Sequence, residues 1–124
     1  AGLGSDPALI TATLEGCSYW LAIQDGTAIG CVGLEHGPVS AGGGASLLRS
    51  ACVRPGWRGR GVGKRLAATA LSAARERGDR AVYLFSSHAG AYWQRLGFLP
   101  MGVAEPRARG WIHAESAWKL DLPR

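Results

Sequence analysis

A segment rich in glycine and arginine near the middle of the chain has the clearest chemical potential in the sequence. It follows an apolar segment and contains Arg58, Gly59, Arg60, Gly61, Gly63 and Lys64. Glycine lets backbone N–H groups face a ligand directly. A helix that begins here would add unpaired N–H donors and the positive end of its dipole. The segment therefore predicts a binding site for phosphate groups.

Two common phosphate-binding motifs do not fit these residues. A Walker A loop requires four residues between its first glycine and its Gly-Lys pair, whereas the spacing from Gly59 to Gly63 is one residue short. Arg65 also replaces the hydroxyl residue that would bind magnesium. A dinucleotide-binding G-x-G-x-x-G motif would place its third glycine where Lys64 stands. The sequence therefore argues against both classes.

The same segment resembles the GNAT N-acetyltransferases. Residues 58–63 resemble the Q/R-x-x-G-x-G/A motif of that family, and residues 89–98 resemble its A-x-x-F-Y-x-x-L-G-F segment, in the same order and at a similar spacing. The resemblance implies an α/β (α+β) fold, with a mixed, mostly antiparallel sheet and flanking helices. Residues 30–35, 47–50 and 83–85 further resemble the short bacterial arsenic-resistance N-acetyltransferases.

The resemblance implies that acetyl-CoA is the cofactor. Its pantetheine arm would lie along the open strand edge at Ala51, Cys52 and Val53, and its pyrophosphate would lie on the backbone amides of the glycine segment. Ser86 stands where many members carry an asparagine near the pantetheine. The predicted cofactor-binding residues are Ala51, Cys52, Val53, Arg58, Gly59, Arg60, Gly61, Val62, Gly63, Lys64 and Ser86.

Direct transfer of an acetyl group to an amine requires a neutral amine, a polarised carbonyl and a proton for the leaving thiolate. The family's usual acid tyrosine falls on Trp93, which is not a useful proton donor. Tyr92, one position earlier, is the candidate acid, although it could instead replace the motif's packing phenylalanine, and the thiolate could then take its proton from water. Glu35 is the candidate base or a ligand for a substrate ammonium, although it could also be a solvated charge at a strand end.

Arg49 stands in a strand that is otherwise apolar or small, so its guanidinium needs a partner. That partner is either a substrate carboxylate or Glu35, and the sequence leaves both open. The first alternative would make the acceptor a small, amino-acid-like amine. Two other functions stay open, namely a GNAT-fold protein that binds acyl-CoA without turnover and an acetyltransferase acting on protein N-termini or lysines.

Length and composition limit the other classes. The 124 residues suit one domain, 1–124, and no run of 18 apolar residues suggests a membrane segment, so a cytoplasmic protein is expected. The net charge of +5 could suit nucleic acid, but much of it lies at the predicted phosphate site, where Trp57 is a lone aromatic residue. We expect no nucleic-acid partner. The three cysteines and three histidines form no C-x-x-C or metal-ligand pattern, so neither a structural disulfide nor a metal is predicted.

The local pattern also predicts the order of the elements. Asp25-Gly26 predicts a hairpin turn, and Val62 to Arg77 shows the spacing of a helix that ends at Gly78. The predicted order is a helix at 7–15 capped by Asp6, strands at 19–24, 27–34 and 45–53, the helix at 62–77, a strand at 81–85, a helix to 95 capped by Ser86 or Ser87, and strands at 98–103 and 111–122. Compared with the GNAT fold, this order lacks the first strand and helix. Because exposed sheet edges invite pairing, a homodimer is expected.

Overall fold

The computed structural model describes residues 7–14, 16–37, 44–111 and 116–122. The elements are β1 (Ala8–Leu14), β2 (Cys17–Gln24), β3 (Thr27–His36), β4 (Gly44–Val53), α1 (Val62–Glu76), β5 (Asp79–Phe85), α2 (Gly90–Arg95), β6 (Leu99–Met101), α3 (Ala104–Ala108) and β7 (Ala117–Asp121). A short 3₁₀ turn, Pro55–Trp57, lies between β4 and α1.

The strands form a seven-stranded sheet in the order β1-β2-β3-β4-β5-β7-β6. The β4–β5 pair is parallel, whereas β1–β2, β2–β3, β5–β7 and β6–β7 are antiparallel. The predicted mixed, mostly antiparallel sheet with flanking helices is therefore confirmed. The chain divides into two compact units, Ala1–Glu35 with Leu48–Ala73 and His36–Leu47 with Ala74–Arg124. A single domain over the whole chain stays a prediction.

In the first unit, the N-terminal part of α1 packs on one face of the sheet. Val62, Leu66 and Ala70 are buried along one stripe of the helix, as the spacing predicted. The helix comes close because Gly30 has no side chain. A Cβ atom there would lie 3.0 Å from a methyl group of Leu66 and 3.3 Å from one of Val62. Trp20 is among the residues buried in this unit.

The hairpin between β2 and β3 turns at Asp25 and Gly26, as predicted. Their φ angles of 50° and 76° are both positive. Two consecutive positive φ angles are characteristic of the type I′ turn, whose twist matches that of the flanking strands. The pairing of β2 and β3 starts from this turn, shifts by one residue between Ile23 and Ala22, and continues to Glu35 opposite Cys17.

The predicted helix at 7–15 is wrong, because residues 8–14 form β1. It pairs with β2 from Ala8 opposite Ile23 to Leu14 opposite Cys17. The β-branched residues Ile10, Thr11 and Thr13 favour a strand, and β2 offers hydrogen-bonding partners along the whole segment. The expected lack of a first strand is therefore also wrong. Asp6 and Glu15, which were assigned to that helix, lie outside the described residues.

β1 lies at an edge of the sheet and exposes apolar side chains. The side chain of Ile10 is 49% exposed and that of Leu14 is 65% exposed. Such an edge offers unpaired backbone groups to a second chain. The homodimer stays a prediction.

In the second unit, a buried polar pair holds β4 to the start of β5. The Ser46 hydroxyl donates a hydrogen bond of 2.5 Å to the carboxylate of Asp79, which also accepts one of 3.3 Å from Arg77. His36 lies 3.5 Å from the Ser46 hydroxyl, and burial lowers the pKa of its imidazole. Because both buried groups are hydrogen-bonded, the pair avoids the cost of unsatisfied polar atoms.

Two further predictions in this unit need correction. Neither Ser86 nor Ser87 caps the second helix. That helix begins at Gly90 after Ala89, which has a φ of 59° and makes no side-chain capping bond. The strand predicted at 98–103 is only Leu99–Met101 and is followed by α3, which was missed. The last strand is Ala117–Asp121, and residues 112–115 of the predicted strand lie outside the described residues.

Candidate functional site

The glycine segment forms an exposed turn that leads into α1. Gly59 and Gly61 have φ angles of 77° and 82°, a conformation that residues with a side chain rarely adopt. The carbonyl of Gly61 accepts the bond from the Arg65 N–H at 3.0 Å, so Gly61 is the N-cap of α1. The N–H groups of the first helical turn, which includes Gly63 and Lys64, therefore lack partners within the helix.

The charges around this turn favour an anion. The first turn of α1 contains no acidic residue, so nothing there offsets the positive end of the helix dipole. Arg58, Arg60 and Lys64 are exposed beside it. Arg60 lies over the ring of Trp57 at 4.9 Å, which holds its charge close to the turn. The predicted phosphate site is therefore both open and positively charged.

Arg58 has an additional structural role. Its Nε donates a hydrogen bond of 3.1 Å to the carbonyl of Val53 at the end of β4. Arg65 similarly donates to the carbonyl of Pro7, just before β1. These two bonds connect the segment to the end of β4 and the start of β1, so two of its arginines also stabilise the fold.

The strand that precedes the turn is irregular at Ser50, which the sequence analysis did not identify. Ser50 has a φ of 56° in the middle of β4, and its carbonyl accepts a hydrogen bond of 3.1 Å from the thiol of Cys31. Positive φ angles at non-glycine residues are uncommon and often occur at functional sites. The next two residues, Ala51 and Cys52, are exposed, and Val53 is half-buried.

Glu35 and Arg49 form an ion pair, which was one of the two alternatives for Arg49. A guanidinium nitrogen lies 2.5 Å from the Glu35 carboxylate, and this hydrogen bond raises the pKa of Arg49. The two side chains are 32% and 47% exposed, respectively. A substrate could therefore reach both groups without unfolding the strands.

Tyr19 completes this cluster and was not predicted. A Cβ atom on Gly33 would lie 2.7 Å from the Tyr19 ring and 3.2 Å from Cγ of Arg49, so the lack of a side chain at Gly33 makes room for both. The contact with Cys17 is the largest cause of a raised pKa at Tyr19. The phenol therefore stays neutral beside the ion pair at neutral pH.

Tyr92, the candidate acid, lies in α2 and is half-buried. Its ring packs edge-on against Trp93 at 5.0 Å, and burial raises the pKa of its phenol. The indole N–H of Trp93 donates to the carbonyl of His88 at 3.2 Å. Trp93 thus has a packing role at the position of the usual acid tyrosine.

Ser86 is bound within its own turn. Its hydroxyl donates to the carbonyl of His88 at 2.7 Å and accepts from the His88 N–H at 3.2 Å. The indole of Trp118 donates to the Ser86 carbonyl at 3.1 Å. The hydroxyl oxygen retains one lone pair that a ligand N–H could use, and the role of Ser86 stays a prediction.

The model of the acetyltransferase (GNAT) family matches residues 5–98, which is most of the chain. The chain belongs to the GNAT acetyltransferase family. A comparison with curated protein sequences gave no significant match.

Solved GNAT structures share the fold. A GNAT acetyltransferase of Staphylococcus aureus Mu50 is 20% identical, with a TM-score of 0.76 over 87% of this chain and 69% of its own. N-acetylglutamate synthase of Neisseria gonorrhoeae, complexed with coenzyme A and N-acetyl-glutamate, is 21% identical with a TM-score of 0.70. The match covers 86% of this chain but only 26% of that synthase. A Mycobacterium tuberculosis protein in complex with CoA is 16% identical, with a TM-score of 0.64 over 85% of this chain and 76% of its own.

Two further features are absent from the parts of this GNAT chain that the structure describes. Within them, no three His, Cys, Asp or Glu side chains are placed to hold a metal ion. No helix among the same residues is long and apolar enough to cross a membrane.

The positive φ at Gly61 gives a testable consequence for stability. We expect Gly61→Ala to lower the free energy of unfolding by about 1 kcal/mol, because an L-residue is strained in the left-handed region. Gly56→Ala is the matched control. A Cβ at either position would meet no atom within 4 Å, but Gly56 has no positive φ, so its change should stay within about 0.5 kcal/mol. Urea unfolding would measure both, and equal stability of the two variants would contradict the strain at Gly61.

Proposed function

We propose that this GNAT protein is an acetyl-CoA-dependent N-acetyltransferase whose acceptor is a small, amino-acid-like amine. The observation that carries the proposal is the turn at the start of α1. It combines two glycines in the left-handed region with unpaired helix N–H groups, no acidic residue and three exposed basic side chains. Such an arrangement suits the pyrophosphate of coenzyme A, and two of the similar structures are complexes with CoA.

The proposal gives the residues of this chain the following roles. Acetyl-CoA supplies an acetyl group activated as a thioester. The backbone amides at Gly59, Gly61 and Gly63 would bind the pyrophosphate, with Arg60 and Lys64 nearby. Ala51, Cys52 and Val53 would offer backbone groups to the pantetheine and an N–H that polarises the thioester carbonyl. The irregular φ at Ser50 supports this role, because it changes the direction of the backbone just before these residues.

The Glu35–Arg49 pair supports the choice of substrate. An amino acid carries a carboxylate that matches the guanidinium of Arg49 and an ammonium that matches the carboxylate of Glu35. The substrate would replace the internal ion pair with two of its own, and Glu35 would then accept the proton that the ammonium must lose. The resemblance to arsenic-resistance N-acetyltransferases agrees with an amino-acid-like acceptor.

Tyr92 is the proposed proton donor to the leaving thiolate. Burial raises the pKa of its phenol, so the group stays protonated through the neutral and mildly alkaline range. A proton donor must be protonated to act, and the loss of activity at high pH should therefore lie above the ordinary range for tyrosine.

The first test is binding of acetyl-CoA by calorimetry, followed by turnover on a panel of amino acids and their decarboxylated amines. Free coenzyme A should be measured by chromatography, because the exposed Cys52 would react with thiol reagents. We expect binding, and turnover with at least one amino acid. Gly61→Trp should abolish binding while the protein stays folded, whereas Gly56→Ala should bind normally. Unchanged affinity in Gly61→Trp would contradict the cofactor site, and binding without any turnover would favour the non-catalytic alternative.

The second test concerns Arg49. In the wild type, kcat/KM for an amino acid should exceed that for the matched decarboxylated amine by roughly tenfold to a hundredfold, since a hydrogen bond to a charged group contributes about 1.5–3 kcal/mol. Arg49→Ala should remove this preference, and Arg49→Lys should retain part of it. A preference that survives in Arg49→Ala would show that Arg49 does not bind the carboxylate.

The third test concerns Tyr92. Replacement by phenylalanine keeps the ring packing but removes the proton, so kcat should fall by about a hundredfold, with the affinity for acetyl-CoA unchanged. The alkaline limb of the wild-type pH profile should also disappear in the variant. If kcat and the profile are unaltered, the thiolate takes its proton from water.

A further inference from the structure

Two of the three cysteines lie together on the predicted cofactor strand and its neighbour. Cys31 on β3 and Cys52 on β4 are both free thiols, the first half-buried and the second exposed. Both line one largely apolar cavity of about 180 Å³, with Leu21, Ala28, Ile29, Gly30 and Arg54. Cys31 is also opposite Leu21 on β2.

The contacts between β3 and β4 place the two cysteines side by side. The N–H of Arg54, just after β4, donates to the carbonyl of Ile29 near the start of β3 at 2.8 Å. A Cβ on Gly33, further along β3, would lie 3.2 Å from Cγ of Arg49, which is earlier on β4. The two strands therefore run antiparallel, and the cysteines lie between these two contacts on their respective strands. A Cβ on Gly30 would lie 3.1 Å from the Cys52 carbonyl, which agrees with this placement.

Opposed residues on antiparallel strands have the separation that a disulfide needs. Their Cα atoms are about 4.5–5.5 Å apart, and disulfides span Cα separations of roughly 4.4–6.8 Å. Both cysteines also line the same cavity, so their side chains share one space.

We propose that Cys31 and Cys52 are a redox-active dithiol that closes to an intramolecular disulfide across β3 and β4. A small-molecule disulfide is the oxidant. The exposed Cys52 thiolate attacks one of its sulfurs, forms a mixed disulfide and releases one thiolate. Cys31, after losing its proton, then attacks the Cys52 sulfur, forms the internal disulfide and releases the second thiolate. Two protein thiols have lost two protons and two electrons, and the oxidant has become two thiols.

The order of attack follows from the environments of the two sulfurs. Burial, and next the charge of Cys52, raises the pKa of the Cys31 thiol. Cys31 therefore forms a thiolate less readily and is the resolving group. Cys17 takes no part, because it is buried and lies opposite Glu35, four residues along β2 from Leu21. That distance is roughly 13 Å along a strand.

Closure would alter the strand that is proposed to hold the thioester. In the reduced protein, the Cys31 thiol donates to the carbonyl of Ser50 at 3.1 Å. A disulfide has no S–H, so this bond to the irregular part of β4 is lost. This consequence rests on the proposed function, whereas disulfide formation itself does not.

The test is incubation of the reduced protein with oxidised glutathione, followed by mass spectrometry and peptide mapping under non-reducing conditions. We expect the monomer to lose two hydrogens, with a cross-linked peptide pair containing Cys31 and Cys52. Cys17→Ala should behave in the same way, whereas Cys31→Ala should stop at a glutathione adduct on Cys52. A persistent glutathione adduct in the wild type, a disulfide that contains Cys17, or only intermolecular dimers would overturn the proposal.

Calorimetry with acetyl-CoA on the reduced and oxidised protein tests the consequence. Loss of one hydrogen bond near the strand should weaken binding by roughly fivefold to tenfold, and dithiothreitol should restore it. Equal affinity in both states would overturn the regulatory effect while the disulfide stands. If neither state binds acetyl-CoA, the proposed function fails, and the mass measurement still decides whether the dithiol closes.

Discussion

The first unit depends on how the backbone leaves β4 and enters α1. Three positive φ angles, at Ser50, Gly59 and Gly61, redirect the chain between a regular strand and a helix. The conformation at Ser50 costs free energy that the surroundings must offset, whereas glycine adopts the left-handed region readily. The Cys31 thiol donates a hydrogen bond to the Ser50 carbonyl, and α1 begins at Val62, directly after Gly61. The same backbone therefore joins the sheet to the helix and would present the groups of the proposed phosphate and thioester site.

Elements with a strong local signal could be predicted from the sequence. The type I′ turn at Asp25 and Gly26 and the apolar stripe of α1 depend on nearby residues only, and both formed as expected. β1 was missed because Pro7 and Gly16 are equally compatible with a short helix and with an extended segment. What decides is the hairpin ladder with β2, whose residues lie outside the segment itself. Local propensity is overridden where such a partner exists.

The candidate site, like the fold, could be predicted only in part. The glycine turn could be identified from residue types and spacing, and the Glu35–Arg49 pair was one of two stated alternatives. Tyr19 could not be identified, because its ring reaches Arg49 only across Gly33, and that contact depends on the register of β2 and β3. Ser50 has no unusual residue type, so its φ could not be read from the sequence. The bonds within the turn at Ser86 occupy the hydroxyl proton, which spacing does not reveal.

The hydrogen bond from Arg58 to the Val53 carbonyl has a consequence for molecular recognition. It links the last residue of β4 to the turn within the protein itself, so this part of the loop is ordered before any ligand arrives. The conformational entropy of the turn is therefore lost when the protein folds, so ordering the turn does not lower the affinity for an anion. The bond also satisfies a carbonyl at the end of a strand, which removes one acceptor that another chain could use for pairing. The guanidinium of Arg58 thus favours binding because it orders the turn in advance, whether or not it contacts the ligand.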